Sequence, residues 1–372
     1  MTDHDCSAVE RRLEADFAMA QAVFVGRAAL GLASVLRCWS DRTQRDRIAV
    51  PAAVCHDVVL AILESGCTPV FCDIDPATGI VPHSEWARAR AVGASVAIVV
   101  HLYGNPADAT DVKRIFGDGD CLVVDDAAQA YGTSMHGIPA GAQGDVGLLS
   151  FGATKQISVG GAALLFRDSA LGAEVRTAVA STEIASSSVR VALQTEFRRK
   201  LEAARALSRG RSDRRPEFFR GLMDGQEATL RIGPGDRYGA MVLRELDRYD
   251  VVAKERLAKR DIWVDSIRNL ALEPVGMSGN GVPWRFVCRL PGINWSEQHL
   301  LGQAMRSRGM NVSHWYLPAH WMHDATPAVL PGVETLAREV FQFWIDEGTA
   351  LEEVHRQGKV VAEILSNQDW IR

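Results

Sequence analysis

The chain reads as an α/β fold. A large domain with a mainly parallel sheet between helices comes first, a smaller C-terminal α+β domain follows, and the border lies near 245/246. Three observations predict this. Continuous apolar runs recur through residues 26–166 with helix-patterned stretches between them, the rhythm of parallel strands joined by right-handed crossovers. From 167 to 260 the chain turns helix-rich and charged, and from about Leu272 onward strands and helices mix. Its 372 residues also exceed what one small core accommodates.

Each element has a local reason. Residues 47–51 form a short strand closed by Pro51, and 54–66 a helix with Val58, Val59, Ile62 and Leu63 on one face. Residues 68–73 make the next strand. The runs 95–101 (SVAIVVH) and 121–125 (CLVVD) are apolar throughout, as strands buried on both faces require. Residues 107–117 read as the crossover helix between them. Residues 147–151 and 162–166 are two further strands around a short loop. The basic stretch 198–220 reads as a solvated helical face. Beyond it come a strand at 284–290, a helix at 296–309, an aromatic loop, and a helical tail at 334–365 with a polar break at 346–348.

Composition narrows the function classes. A formal net charge of -5 provides no general basic field for nucleic acid or an anionic membrane. No run approaches the ~18 apolar residues that span a bilayer. The polar start, residues 1–12, is unlike a secretory signal. Seven cysteines, an odd number without a CxxC pair, read as reduced thiols of a cytoplasmic protein, and no Cys/His cluster has zinc-ligand spacing.

Three features carry chemistry. At the end of one strand stand Asp125 and Asp126, where α/β ligands bind. A carboxylate there suits the pyridine nitrogen of pyridoxal phosphate (PLP), keeping it protonated so that the ring absorbs electrons. The segment 150–155 (SFGATK) runs from a strand into a small-residue loop ending in Lys155, with no other charge between Val146 and Phe166. A lysine in such surroundings can attack an aldehyde, and Ser150 or Thr154 can donate to a phosphate. Finally, Gly26, Arg27 and Ala28 open an apolar helix whose free backbone N–H groups suit a phosphate.

Taken in order, these segments resemble the DegT/StrS family of sugar aminotransferases, enzymes of the type I aspartate-aminotransferase fold. The matching pieces are GRAAL at 26–30, Pro51, GCTPVFCDID at 66–75, HLYGNPAD at 101–108, DAAQA at 126–130, and SF…TK with Gly160-Gly161. The resemblance implies PLP or its amine form PMP as cofactor, held in a PLP-binding domain over 1–245, the N-terminal helix included. Asp126 would pair with the pyridine nitrogen, and Gln129 would contact the ring's phenolic oxygen or face. Ser150 and the backbone at Arg27 and Ala28 would bind the phosphate. Lys155 would form the internal aldimine and then shuttle the proton.

The resemblance further implies a homodimer with active sites at the interface, where the neighbouring subunit supplies an Asn near the phosphate. The comparable stretch 230–234 has no Asn, and Arg231 is the expected substitute. Where many relatives stack an aromatic ring on the cofactor, this chain offers Cys55 or His56. The segment 315–321, with His314, Tyr316 and His320, resembles one that approaches substrate.

The implied reaction is a ping-pong transfer of an amino group from an amino acid such as glutamate to a keto- or aldehyde-sugar or a related carbonyl compound. Two alternatives stand beside it. A PLP/PMP-dependent deoxysugar dehydratase would carry His in place of Lys155. A non-catalytic PLP-binding regulator would not need Asp126, Gln129, Ser150 and Lys155 together.

Overall fold

The computed structural model describes residues 3–117, 119, 121–208, 216–233, 236–276, 280–323 and 329–367. Helix α1 (Asp3–Phe17) leads into strand β1 (Gln21–Val25) and helix α2 (Ala28–Thr43). Strands β2 (Arg47–Pro51), β3 (Thr68–Cys72), β4 (Val96–Val100), β5 (Leu122–Asp126), β6 (Val146–Ser150) and β7 (Ala162–Phe166) complete a seven-stranded sheet of order β1-β7-β6-β5-β4-β2-β3. Strands β6, β5, β4, β2 and β3 run parallel, while β7 is antiparallel to both its neighbours.

The connecting helices are α3 (His56–Glu64), α4 (His83–Ala91) and α5 (Ala109–Phe116). Helix α3 is shorter than the apolar pattern suggests, because the chain is still extended at Cys55. Helix α5 begins where the Asp108 carboxylate accepts the Asp111 N–H at 3.0 Å.

The strands are apolar on both faces because both faces are covered. On β7, Leu164 and Phe166 join the core beneath α2 and α3, while Ala163 and Leu165 face α1 and the residues 242–252 on the other side. After helices α6 (Ser169–Ser181) and α7 (Ser187–Ser208) comes α8 (Gly239–Ile267). The division expected at 245/246 lies inside this continuous helix. Its first half sets Val242, Leu246, Tyr249 and Val252 against the main sheet, and its last turns set Trp263 and Ile267 into the C-terminal core.

The C-terminal part holds an antiparallel sheet of β8 (Glu273–Pro274), β9 (Phe286–Arg289), β10 (Val312–Ser313) and β11 (Val340–Phe343), in the order β8-β9-β11-β10. Around it lie α9 (Trp295–Ser307), α10 (Ala319–Met322), α11 (Pro331–Glu339) and α12 (Leu351–Asn367). Strand β11 corrects the expected helical tail. It is paired on both edges and buried throughout, so its apolar run lacks the alternation that marks a strand in sequence. The basic stretch is partly as expected: Arg199 and Arg205 make exposed pairs with Glu196 and Glu202, three residues away. Residues 209–215 of it lie outside the described residues. No helix among those described is long and apolar enough to cross a membrane.

Candidate active site

A cleft of about 470 Å³ opens at the carboxyl ends of the parallel strands. Val54 and Cys55 after β2, Val100 ending β4, Asp126 ending β5 and Ser150 ending β6 all line it. The antiparallel strands bring two more segments to the same edge. Ala162 pairs with both Ser150 and Val25, so Gly161 and Gly26 border the cleft as well.

The adjacent carboxylates separate because successive strand residues point to opposite faces. Asp125 is fully buried and turns away. It meets His101 Nε2 at 2.6 Å and accepts the Gly141 and Gln143 N–H groups at 2.7 Å each. His101 Nδ1 accepts the Ala107 N–H at 2.9 Å, so Nε2 carries the ring proton toward Asp125. Asp126 faces the cleft. Its Oδ1 accepts the Ala128 N–H at 2.9 Å, and Oδ2 has no hydrogen-bond partner among the described residues. Burial pushes the Asp126 carboxyl above the usual range, against the pull of Ala128 N–H and of the Lys155 charge.

Lys155 lies half-buried on the loop after β6, in the same cleft. Its Nζ stands 5.7 Å from the centre of the Trp284 ring. The Trp284 indole N–H donates to the Thr154 carbonyl, so the C-terminal part ties down the lysine loop. Thr154 itself has φ 71°, a left-handed conformation unfavourable for a β-branched residue, and two contacts hold it there: Trp284 on its carbonyl and Ser158 Oγ on its N–H at 3.0 Å. Gly160 and Gly161 follow because the ring of Tyr238 and the ring of Phe24 occupy the space a side chain would need.

Helix α2 points its amino end into the cleft. Ala28 and Ala29 line it, and no side chain caps this helix start. The Arg27 guanidinium turns aside, to Asp57 Oδ2 at 2.6 Å and the Thr229 carbonyl at 2.9 Å. Gln129 accepts the Tyr103 N–H through Oε1 at 2.8 Å, which leaves its amide N–H groups toward the cleft. Ser150 borders the cleft with its Oγ 3.4 Å from the Gly152 N–H.

Cys55 also lines the cleft, its surface open to the cavity while protein crowds its other sides. That burial, with Asp57 adding to it, pushes the thiol up to about 11. His56 instead stacks on Phe197 of α7, ring centres 5.4 Å apart.

Arg231, expected to serve a neighbouring subunit's site, pairs with Glu64 of α3 at 2.9 Å and does not line the cleft of its own chain. Three expected residues stand elsewhere. His314 borders a second cavity of about 290 Å³ with Arg205, His299 and Arg306, since β10 directs it toward α9. His320 is buried, its Nε2 3.2 Å from Glu334 on α11. Tyr316 packs edge-on against Tyr103 at 6.0 Å, behind the cleft wall, and burial holds its hydroxyl far above the ordinary range. In turn, the cleft includes Asp57, Arg190, Arg237 and Tyr238, and Trp284 supports it. No local pattern marks these residues, as all but Asp57 reach the site from elements remote in sequence.

The residues present fit PLP. An uncapped helix start with Ser150 nearby offers donors for a phosphate, a buried carboxylate with one open oxygen suits a ring N–H, and an amine lies in the same cleft.

A dTDP-4-dehydro-2,3,6-trideoxy-D-glucose 4-aminotransferase of Saccharopolyspora spinosa is 26% identical over 276 residues, 74% of this chain and 66% of that protein. A GDP-perosamine synthase of Escherichia coli O157:H7 is 30% identical over 118 residues, 32% of each chain. The chain thus spans about two thirds of the first of these relatives and about a third of the second. Spr1654 from Streptococcus pneumoniae in its PMP form superposes with a TM-score of 0.78, at 17% identity, over 98% of this chain and 92% of that one. At such identity the likeness establishes the fold. The model of the DegT/DnrJ/EryC1/StrS aminotransferase family, whose members use pyridoxal phosphate, matches residues 3–362, and the chain belongs to that family.

Proposed function

We propose that this chain is a PLP-dependent aminotransferase. It takes an amino group from an amino acid, glutamate in the first instance, and passes it to a keto- or aldehyde-sugar or a related carbonyl compound. The observation that carries the reading is the meeting of Lys155, Asp126 and the amino end of α2 in one cleft. When bound, the cofactor supplies an electron sink for the pair released at the donor's α-carbon.

The chain's residues then have distinct tasks. Asp126 holds a proton on the ring nitrogen, and that positive partner offsets the burial that raises its carboxyl. Ser150 and the backbone N–H groups at Arg27 and Ala28 would bind the phosphate, and Gln129 would donate to the ring oxygen. Lys155 would hold the cofactor's aldehyde carbon, and its amine, displaced by the donor's amino group, would serve as the base for the donor's α-proton. A lysine at this position favours amino transfer over the dehydratase reading. The resemblance adds a homodimer with its active sites at the interface.

The test is borohydride reduction of the purified protein with PLP, followed by peptide mapping. The expected result is a pyridoxyl group on the peptide containing Lys155, absent from Lys155→Ala, with amino transfer lowered at least about 1,000-fold in that variant. Equal labelling of the two proteins overturns the role of Lys155. Glutamate should convert bound PLP to the amine form, and failure of every amino donor to do so removes the transaminase reading.

A further inference from the structure

Two guanidinium groups line the cleft without a carboxylate partner among the described residues, Arg190 on α7 and Arg237 just before α8. Arg190 is the better held. It is half-buried, one of its N–H groups donates to the Ala185 carbonyl, and the Ala185 N–H donates to the Arg231 carbonyl at 3.1 Å. The segment that carries Arg231 lies across the start of α2. Thr229 accepts from Arg27, and the Gly233 carbonyl fills the space beside Gly26. Helix α7 is fastened to the rim a second time, by Phe197 against His56. A chain of backbone contacts therefore fixes Arg190 relative to the same helix start that offers its N–H groups to the cleft. Arg237 lies over the Tyr238 ring at 4.6 Å, and that ring abuts Gly160, so it reaches the same edge from the other side and is more exposed.

A half-buried guanidinium without a counter-charge loses hydration and gains no ion pair, an arrangement that suits a bound anion. We infer that Arg190 is a phosphate-binding residue of the cofactor site, joining the N–H groups of α2 from within the same chain. A planar fork of N–H donors matches a phosphate monoester, and each charge-assisted hydrogen bond outweighs a neutral one. The inference rests on the proposed cofactor but not on any particular reaction or substrate.

The experiment compares PLP with pyridoxal, which has the ring and aldehyde and lacks the phosphate. Apo-protein is titrated with each by absorbance, for the wild type, Arg190→Gln and Arg190→Ala. Gln keeps a donor for the Ala185 carbonyl and removes the charge, so it separates phosphate binding from the anchoring of α7. Both variants should bind PLP about 10-fold or more weaker and pyridoxal unchanged. Equal weakening toward both ligands assigns Arg190 to the structure of α7 and overturns the inference. So does unchanged PLP affinity, including the case in which only the KM for an anionic substrate rises. Failure of the wild type to bind PLP at all refutes the proposed function instead, so the two failures are distinguishable.

Discussion

Exchanging each of the neighbouring carboxylates for its amide should have opposite consequences. Asp125 accepts from three N–H groups and has no exposure to solvent. An Asn there presents one oxygen and one NH2. If its oxygen faces Gly141 and Gln143, its NH2 meets the His101 Nε2–H. The ring cannot relieve this by shifting its proton, since Nδ1 is needed as acceptor for Ala107. If the amide flips, its NH2 meets two backbone donors. Every arrangement buries a donor against a donor and removes the charge from the remaining hydrogen bonds, a loss of about 3–5 kcal/mol. With an unfolding entropy of ~2.1 cal/mol/K per residue, that lowers Tm by about 5 °C for a chain of this length melting as one unit.

Asp126→Asn should leave apo-protein stability equal or higher. Burial raises the Asp126 carboxyl, so its ionised form costs stability once pH exceeds the unfolded-state value of about 4, and the cost grows up to the raised folded-state value. Below about pH 4 both states are protonated and the advantage of Asn disappears. The assay is thermal denaturation of wild type and both apo variants at pH 7 and pH 4, with PLP titration alongside. Asp126→Asn should bind PLP more weakly than wild type despite its stability. A wild-type melting curve for Asp125→Asn, or a large loss of stability in Asp126→Asn, would refute the division of roles.

Two further outcomes follow from the cleft walls. With its thiol raised to about 11, Cys55 should react with iodoacetamide at pH 8 about 10-fold or more slowly than an ordinary cysteine, accelerate as pH rises toward 11, and be shielded by PLP; fast labelling at pH 8, read by mass spectrometry, contradicts the raised thiol. Gly26→Ala should displace the 229–233 segment from the start of α2, because the new methyl meets the Gly233 carbonyl, and should weaken PLP about 10-fold or more in a titration; unchanged affinity shows that this close approach is not needed for the cofactor.

Much of the first half was legible from residue order. Buried parallel strands announce themselves as continuous apolar runs, and those at 96–100, 122–126 and 162–166 lie where the runs do, because both their faces are covered. Strand β11 was not legible, since a short run buried on both sides and both edges matches a helix equally well. The site followed the same division. Ser150, Lys155 and the opening of α2 occupy strand ends and loop ends, positions that chain order specifies once the strands are known. The resemblance, not periodicity, selected Asp126 over Asp125, and their separation depends on which face of β5 meets the cleft.

The remaining placements arise from contacts between distant segments, which no local spacing encodes. Glu64 draws Arg231 outward, β10 turns His314 toward a second cavity, and α7 delivers Arg190 to the cleft. A side chain's direction on a helix or strand follows local geometry, but what it meets depends on which other element packs there. Local sequence thus specified the strand ends that form the cleft. Packing alone selected the remote cations, aromatic rings and carboxylates that surround it.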